Sequence, residues 1–230
     1  MKIGILTTSF PAYKGHLQSP FIYQLAKALA KENKVKVVCP YYGKPSKRKE
    51  IEGNLETHRF QYAPLKLQKL TSGGGIPSSL KESFMAKLNM PLFLFAFFLE
   101  SLKQCKGCDV IHAQWALSGL IGVFMKKIYR KPLVITTRGA AVNKAVEGKF
   151  MKKILTYIFK NTDFITPNNE NHVKVIEDLG ISKDKIRTVP NGMDIEAFKP
   201  RDKNEMRTKL NLPLDKKIVL FVGWLIERKG

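Results

Sequence analysis

TVPNGMDIEAFKP, residues 188 to 200, and IVLFVGWLIERKG, residues 218 to 230, decide how the rest of the chain is read. Pro190 and Pro200 each remove a backbone donor and push the preceding residue towards extended structure, and Asn191-Gly192 is a turn pair that tolerates positive φ. The first stretch therefore reads as a linker. After it, Ile218 to Val222, led by Lys217 and stopped by Gly223, is the unbroken apolar run of a buried strand. One compact unit is expected over residues 1–200, and a strand-first second unit over 201–230.

Upstream, the pattern alternates strand and helix. Lys2 to Thr8 reads as a first strand, Ser9 to Pro20 as a loop, Phe21 to Lys31 as an amphipathic helix and Val35 to Cys39 as a second strand. That order opens a doubly wound α/β sheet, whose ligands collect outside the carboxyl ends of its strands. Residues 41 to 80 are polar, basic and poorly periodic apart from a strand at Thr57 to Tyr62, and Leu88 to Cys105 is the next helix. Further strands are read at Asp109 to Trp115, Pro132 to Gly139, Phe164 to Thr166 and Lys185 to Val189, with helices at Phe150 to Asn161 and at Asn168 to Leu179, the latter closed by Gly180.

Several side chains fall at strand ends, where chemistry is expected. The loop after the first strand carries Gly15, His16 and Gln18; a glycine lets backbone approach a ligand, and the helix that follows favours negative charge at its amino terminus. The loop is not a G-x-G-x-x-G dinucleotide fingerprint, and Thr71 to Pro77, TSGGGIP, lacks the strand and the Lys-Ser/Thr of a P-loop. His112, Gln114 and Trp115 arrive together at one strand end, either as a polar site or as structural packing. Arg138, before Gly139, offers a fork of donors suited to phosphate or carboxylate.

With 40 basic against 19 acidic residues, the formal charge of +21 points to an anionic partner. Nucleic acid is disfavoured, because no helix-turn-helix, zinc-finger or RNA-recognition signature occurs. From Ile121 to Lys160 ten Lys or Arg stand against one acid, Glu147, among apolar residues at helical spacing. This reads either as a helix lying on an anionic lipid surface or as a solvated face. Met90 to Leu99, MPLFLFAFFL, falls short of the ~20 residues needed to span a bilayer, which leaves a buried or an interfacial helix. The opening apolar run, Ile3 to Leu6, is too short for a secretory signal core. Three cysteines fit a reducing compartment, and Cys105-Lys106-Gly107-Cys108 is half of a zinc-site spacing with nothing to complete it.

The order P-N-G-hydrophobic-D, F-x-P, apolar strand, G-x-L, three residues and K-G resembles the inter-domain junction of retaining nucleotide-sugar glycosyltransferases with the GT-B fold, above all the large family four. The resemblance implies a Rossmann-like amino-terminal, acceptor-side domain over 1–200. It makes 201–230 the start of a second Rossmann-like, nucleotide-sugar-binding domain, truncated here. It implies transfer of a sugar, with retention, to a cell-surface polysaccharide or lipid-linked glycan, using no metal and no cofactor beyond the nucleotide-sugar donor. A cytoplasmic protein is expected, and the charge with the apolar helix at Met90 to Leu99 adds a peripheral position at the inner face of the membrane as one reading.

Carried over residue by residue, the resemblance puts Lys229, with Arg138 and Gly139, on the donor, and Gly15, His112 and Gln114 on the acceptor side; Arg228 beside Lys229, and His16 and Gln18 beside Gly15, are further candidates by position, or ordinary exposed residues. Departures are plain: Trp224 stands where the family has an arginine, and Arg138-Gly139-Ala140-Ala141 where it commonly has His-Gly-x-Asp. The family's paired carboxylates belong to the second domain, so no catalytic residue is assigned, and the 230-residue chain is expected to be inactive alone. A non-catalytic nucleotide- or anion-binding module is the alternative. An inverting relative would have only His16 or His112 as its base.

Overall fold

A computed structural model describes residues 1–13, 15–71, 75–138, 148–196 and 198–223. The chain divides into two compact units, Met1–Gly192 and Met193–Gly230.

The first unit is built on seven strands among the described residues: β1 (Lys2–Thr7), β2 (Lys34–Pro40), β3 (Lys49–Glu52), β4 (Leu55–Phe60), β5 (Val110–Gln114), β6 (Leu133–Thr137) and β7 (Phe164–Pro167). Their order in the sheet is β3-β4-β2-β1-β5-β6-β7, and every neighbouring pair is parallel except β3 with β4. The helices are α1 (Pro20–Leu29), α2 (Ile76–Glu82), α3 (Phe84–Cys105), α4 (Trp115–Tyr129), α5 (Lys149–Lys160) and α6 (Glu170–Glu177). This is the doubly wound α/β sheet expected from the alternating pattern.

Side chains alternate across the sheet with period two. On one face Leu6, Ala113, Ile135 and Ile165 form a row across four strands. They meet Phe93 and Phe97 of α3, Ile121 and Met125 of α4 and Ile158 of α5 in the larger apolar cluster. Phe60 stacks on Phe97 at 4.8 Å between centroids. The opposite face packs Ile5, Val35 and Val37 against Ile22 and Ala26 of α1. Each such fully buried aliphatic or aromatic side chain contributes about 1.5–3 kcal/mol relative to exposure. Glycine decides how close α4 can come: a Cβ at Gly122 would lie 2.6 Å from Leu133 Cδ1, and one at Gly119 2.8 Å from Ile135 Cδ1. Asp163 ties this layer together, accepting from Lys126 Nζ of α4 at 2.6 Å and from the Leu133 N–H of β6 at 2.8 Å.

Several sequence expectations are corrected. The hairpin strand β3 escaped reading because all four of its residues are exposed and show no alternation. Helix α3 begins at Phe84 rather than Leu88, since the Ser83 side chain accepts from the Ala86 N–H and caps it there. The basic stretch from 121 to 160 is not one helix: Pro132 and the β-prone Leu133 to Thr137 insert strand β6 between α4 and α5. Lys185 to Val189 is not a regular strand. It makes an isolated bridge from Ile186 to Ile165, and the Arg187 and Val189 N–H groups donate to Ile165 and Pro167. Gly180 does take the left-handed backbone, φ 75°.

In the second unit, helix α7 (Lys203–Lys209) is capped by Asp202, which accepts from the Glu205 N–H at 2.7 Å. Arg207 then donates to the Pro213 and Leu214 carbonyls. The buried strand expected at 217–223 is absent: Val219 is 98% exposed and Val222 84%. An all-apolar run is the signal of a strand covered on both faces, and among the described residues no neighbouring strand bonds to it. Gly139, Ala140, Ala141, Trp224, Arg228, Lys229 and part of the 71–77 loop lie outside the described residues.

Candidate active site

The sheet order places β1 and β5 side by side, with β2 beyond one and β6 beyond the other. The chain therefore changes winding direction between β1 and β5, and the crevice at their carboxyl ends is where an open α/β sheet binds ligands.

Register assembles a polar row there. Thr7 pairs with Gln114, Gln114 with Thr136 and Thr136 with Thr166, so four polar side chains from four strands share one face. One step below, His112 is flanked by Ile5 and Val134. Arg138 directly follows β6 and donates through Nε to Gln114 Oε1 at 3.1 Å. This fixes the Gln114 amide with its nitrogen towards His112 Nε2, 3.1 Å away. Thr136 Oγ1 lies 2.7 Å from the same imidazole nitrogen and 2.7 Å from Thr166 Oγ1. A hydrogen-bonded chain thus runs from Arg138 through Gln114, His112 and Thr136 to Thr166.

Electrostatics follow from this geometry. Burial, aided by the positive charge of Arg138, pushes the His112 imidazole down to about 4. It is neutral at pH 7, and its Nε2, facing an amide N–H, is the acceptor nitrogen. Burial also lowers Arg138, to about 10. Its guanidinium lies 4.9 Å from the centroid of the Phe21 ring, and among the described residues it forms no ion pair. A largely buried cation without a carboxylate partner attracts an anionic ligand.

The loop after β1 completes the wall. Thr7 Oγ1 donates to the Ser9 carbonyl at 2.8 Å, and the Ser9 and Ser19 hydroxyls meet at 2.8 Å, closing the base of the loop. Ser19 is engaged there instead of capping α1, which starts with Pro20 and has no side-chain cap. At the loop's tip Gly15 has φ 89° with open space where a Cβ would be. His16 stacks obliquely on Tyr13 at 5.0 Å between centroids and accepts at Nδ1 from the Ala12 N–H at 3.5 Å, while Gln18 is partly exposed beside it. Buried Arg59 holds the loop from below, donating to the Pro11 and Lys47 carbonyls and to Glu50.

Of the residues singled out from sequence, Arg138, Gln114 and His112 are brought into one network. Gly15, His16 and Gln18 stand together on the neighbouring loop, and Gly139, Arg228 and Lys229 lie outside the described residues. Sequence reading missed Thr7, Thr136, Thr166 and Phe21, whose convergence depends on register. Trp115, at the β5–α4 junction, has φ 66°, a rare conformation for a bulky residue, and packs edge-on to Phe21 at 6.3 Å. A shallow concavity of about 500 Å3 on the surface of α5, lined by Lys149, Lys152, Lys153, Thr156, Tyr157 and Lys160, contains none of the network residues.

The family and the fold, though not the individual site residues, have counterparts among known proteins. Residues 18–197 match the family model Glycosyltransferase Family 4. The chain is 29% identical over 160 residues to D-inositol 3-phosphate glycosyltransferase of Acidothermus cellulolyticus, a match covering 64% of this chain and 36% of that protein. It is 31% identical over 134 residues to the enzyme of the same name from Corynebacterium aurimucosum, covering 53% and 32%. The matches thus span about a third of the length of these curated relatives. Among solved structures, sucrose-phosphate synthase from Thermosynechococcus elongatus superposes with a TM-score of 0.73 at 21% identity, over 100% of this chain and 57% of that one. HepE of Anabaena in complex with UDP-glucose gives 0.59 at 14% identity, over 92% and 50%. These likenesses identify the fold as that of a GT-B amino-terminal domain.

Proposed function

The chain belongs to glycosyltransferase family 4, and on that premise we propose that it forms the acceptor-side domain of an enzyme transferring a sugar from a nucleotide-sugar donor, with retention, to a phosphorylated or lipid-linked glycan acceptor. The observation that carries the reading is Arg138: a buried cation without an acidic partner among the described residues, at the winding switch of the sheet, beside the first turn of α1. Departure of a nucleoside diphosphate leaves negative charge that fixed cations and helix amino termini stabilise. The same chemistry holds a phosphate on the acceptor, a group named in the relatives called D-inositol 3-phosphate glycosyltransferases.

His112 supports retention over inversion. An inverting enzyme needs a base to take the acceptor proton, and a neutral imidazole lowered to about 4, its acceptor nitrogen already facing Gln114 and Thr136, is poorly suited to that task. A lipid-linked acceptor would place the domain against an anionic membrane on the side where nucleotide sugars are made. A GT-B active site closes between two domains, so the 230-residue chain alone is proposed to be inactive.

A transfer and donor-hydrolysis assay across UDP- and GDP-sugars tests this, comparing the chain with a protein in which a complete second domain follows it. Activity only in the longer protein is the expected result. No turnover in either, with anion binding at Arg138 retained, would leave a non-catalytic anion-binding module.

A further inference from the structure

Helix α3 is long and apolar enough to cross a membrane by length and composition, yet one of its sides is core. Ala86, Phe93, Phe97 and Cys105 are fully buried against the sheet, so the helix cannot leave the domain without exposing that core. The other side is uncovered. Phe84, Met85, Leu88, Leu92, Phe95 and Leu99 recur at steps of about one helical turn and are all exposed, Phe84 at 74% and Phe95 at 62%. Phe98 extends the stripe by packing edge-on to Phe124 of α4, 6.0 Å away, next to exposed Ile128.

The charge beside this stripe is mostly basic, Glu100 of α3 being the acid next to it. Tyr129 donates to the Leu102 carbonyl at 2.6 Å, which brings the carboxyl ends of α3 and α4 together. Lys103, Lys106, Arg130 and Lys131 gather there, and none has an ion-pair partner among the described residues. The nearby acids are committed: Glu100 accepts from Gln104 Nε2 at 2.8 Å and lies 3.9 Å from His58 Nδ1, Asp163 pairs with Lys126, and Asp109 accepts from the Lys2 backbone N–H.

We infer that the exposed side of α3, with the adjoining end of α4, is a docking surface for an anionic phospholipid bilayer. Leu88, Leu92, Phe95 and Leu99 enter the headgroup layer, and Lys103, Lys106, Arg130 and Lys131 meet lipid phosphates. An apolar stripe ending in unpaired cations fits an interfacial helix, whose apolar side sinks into the acyl boundary while its basic residues stay at headgroup level. The topology also sets the orientation. Gln114 leads straight into α4, which runs back towards the amino edge of the sheet, and α3 ends where residues 106–109 return to the start of β5. The basic end therefore lies at the amino edge, and Phe84 at the carboxyl edge that carries the polar row. Docked this way, the domain lies along the bilayer with its ligand crevice opening beside the lipid surface. The inference draws its purpose from the lipid-linked acceptor reading, but vesicle binding is measured without donor or acceptor, so the two can fail separately.

The test is co-sedimentation of the 230-residue chain with vesicles of phosphatidylcholine alone or mixed with phosphatidylglycerol, at low and high salt, with circular dichroism as a control for folding. Binding is expected only to the anionic vesicles, weakening with salt. Lys103→Glu with Lys106→Glu should lower partitioning at least about 30-fold, since each basic residue near an anionic surface is worth about a factor of five. Leu92→Glu with Phe95→Glu should abolish it with the fold unchanged. Equal binding to neutral vesicles, unchanged binding by both double variants, or a stable dimer in solution that L92E/F95E dissociates would each overturn the proposal, the last by assigning the stripe to a second copy of the chain.

Discussion

Arg138 Nε donates to Gln114 Oε1 across the β5–β6 boundary, and this bond orients everything beyond it. The amide nitrogen must then face His112, which in turn fixes the imidazole tautomer. A single cation sets the polarity of a chain of side chains that reaches β7.

Replacing Arg138 tests its role directly. Arg138→Met should weaken binding of inorganic phosphate or UDP at least about tenfold by calorimetry, the loss of one charge-assisted contact. Arg138→Lys should rescue little, because an ammonium cannot bond Gln114 with its flank while keeping a flat face over Phe21. With the guanidinium lowered to about 10, binding should fall as pH rises through that value.

His112 makes stability depend on pH. Its folded value, about 4, lies below that of an unfolded histidine, about 6.5, so the unfolded chain binds the extra proton between them. The His112 contribution to stability should therefore be full above about pH 6.5, decline as pH falls towards 4 and level off below it. Urea midpoints across this range should show the slope, and His112→Gln should flatten it.

Gly122→Ala is expected to destabilise the domain by about 1–3 kcal/mol, because the new methyl would lie 2.6 Å from Leu133 Cδ1. A denaturation midpoint equal to wild type would show that α4 shifts at no cost.

Gly15→Ala separates the loop from the scaffold. The added methyl meets nothing within 4 Å, so global stability should change only by the strain of a positive φ, about 1 kcal/mol. Ligand affinity should change more than the thermal midpoint if the loop forms part of the crevice wall.

Much of this fold is legible in the sequence. The strands ending at Thr7, Gln114 and Thr137 are apolar runs that turn polar at their carboxyl ends, so the order of residues alone is enough to nominate His112, Gln114 and Arg138. Strand β3 is invisible there because an exposed edge carries no hydrophobic period. The apolar run at 218–222 misleads for the opposite reason, since a strand pattern specifies a strand only when partners bond to it. The partnership of Thr136 with His112 and Thr166 is unreadable because it depends on register between segments distant in sequence.

The polar row of Thr7, Gln114, Thr136 and Thr166 draws each member from a different strand, so its pitch is that of the sheet itself. At about 4.8 Å per strand it measures about 14 Å from end to end. Insertions in the surrounding loops can raise or lower the walls of the crevice without altering that pitch. The row acts as a ruler whose graduations are set by backbone hydrogen bonds, and substrate preference can drift around it while the scale stays constant.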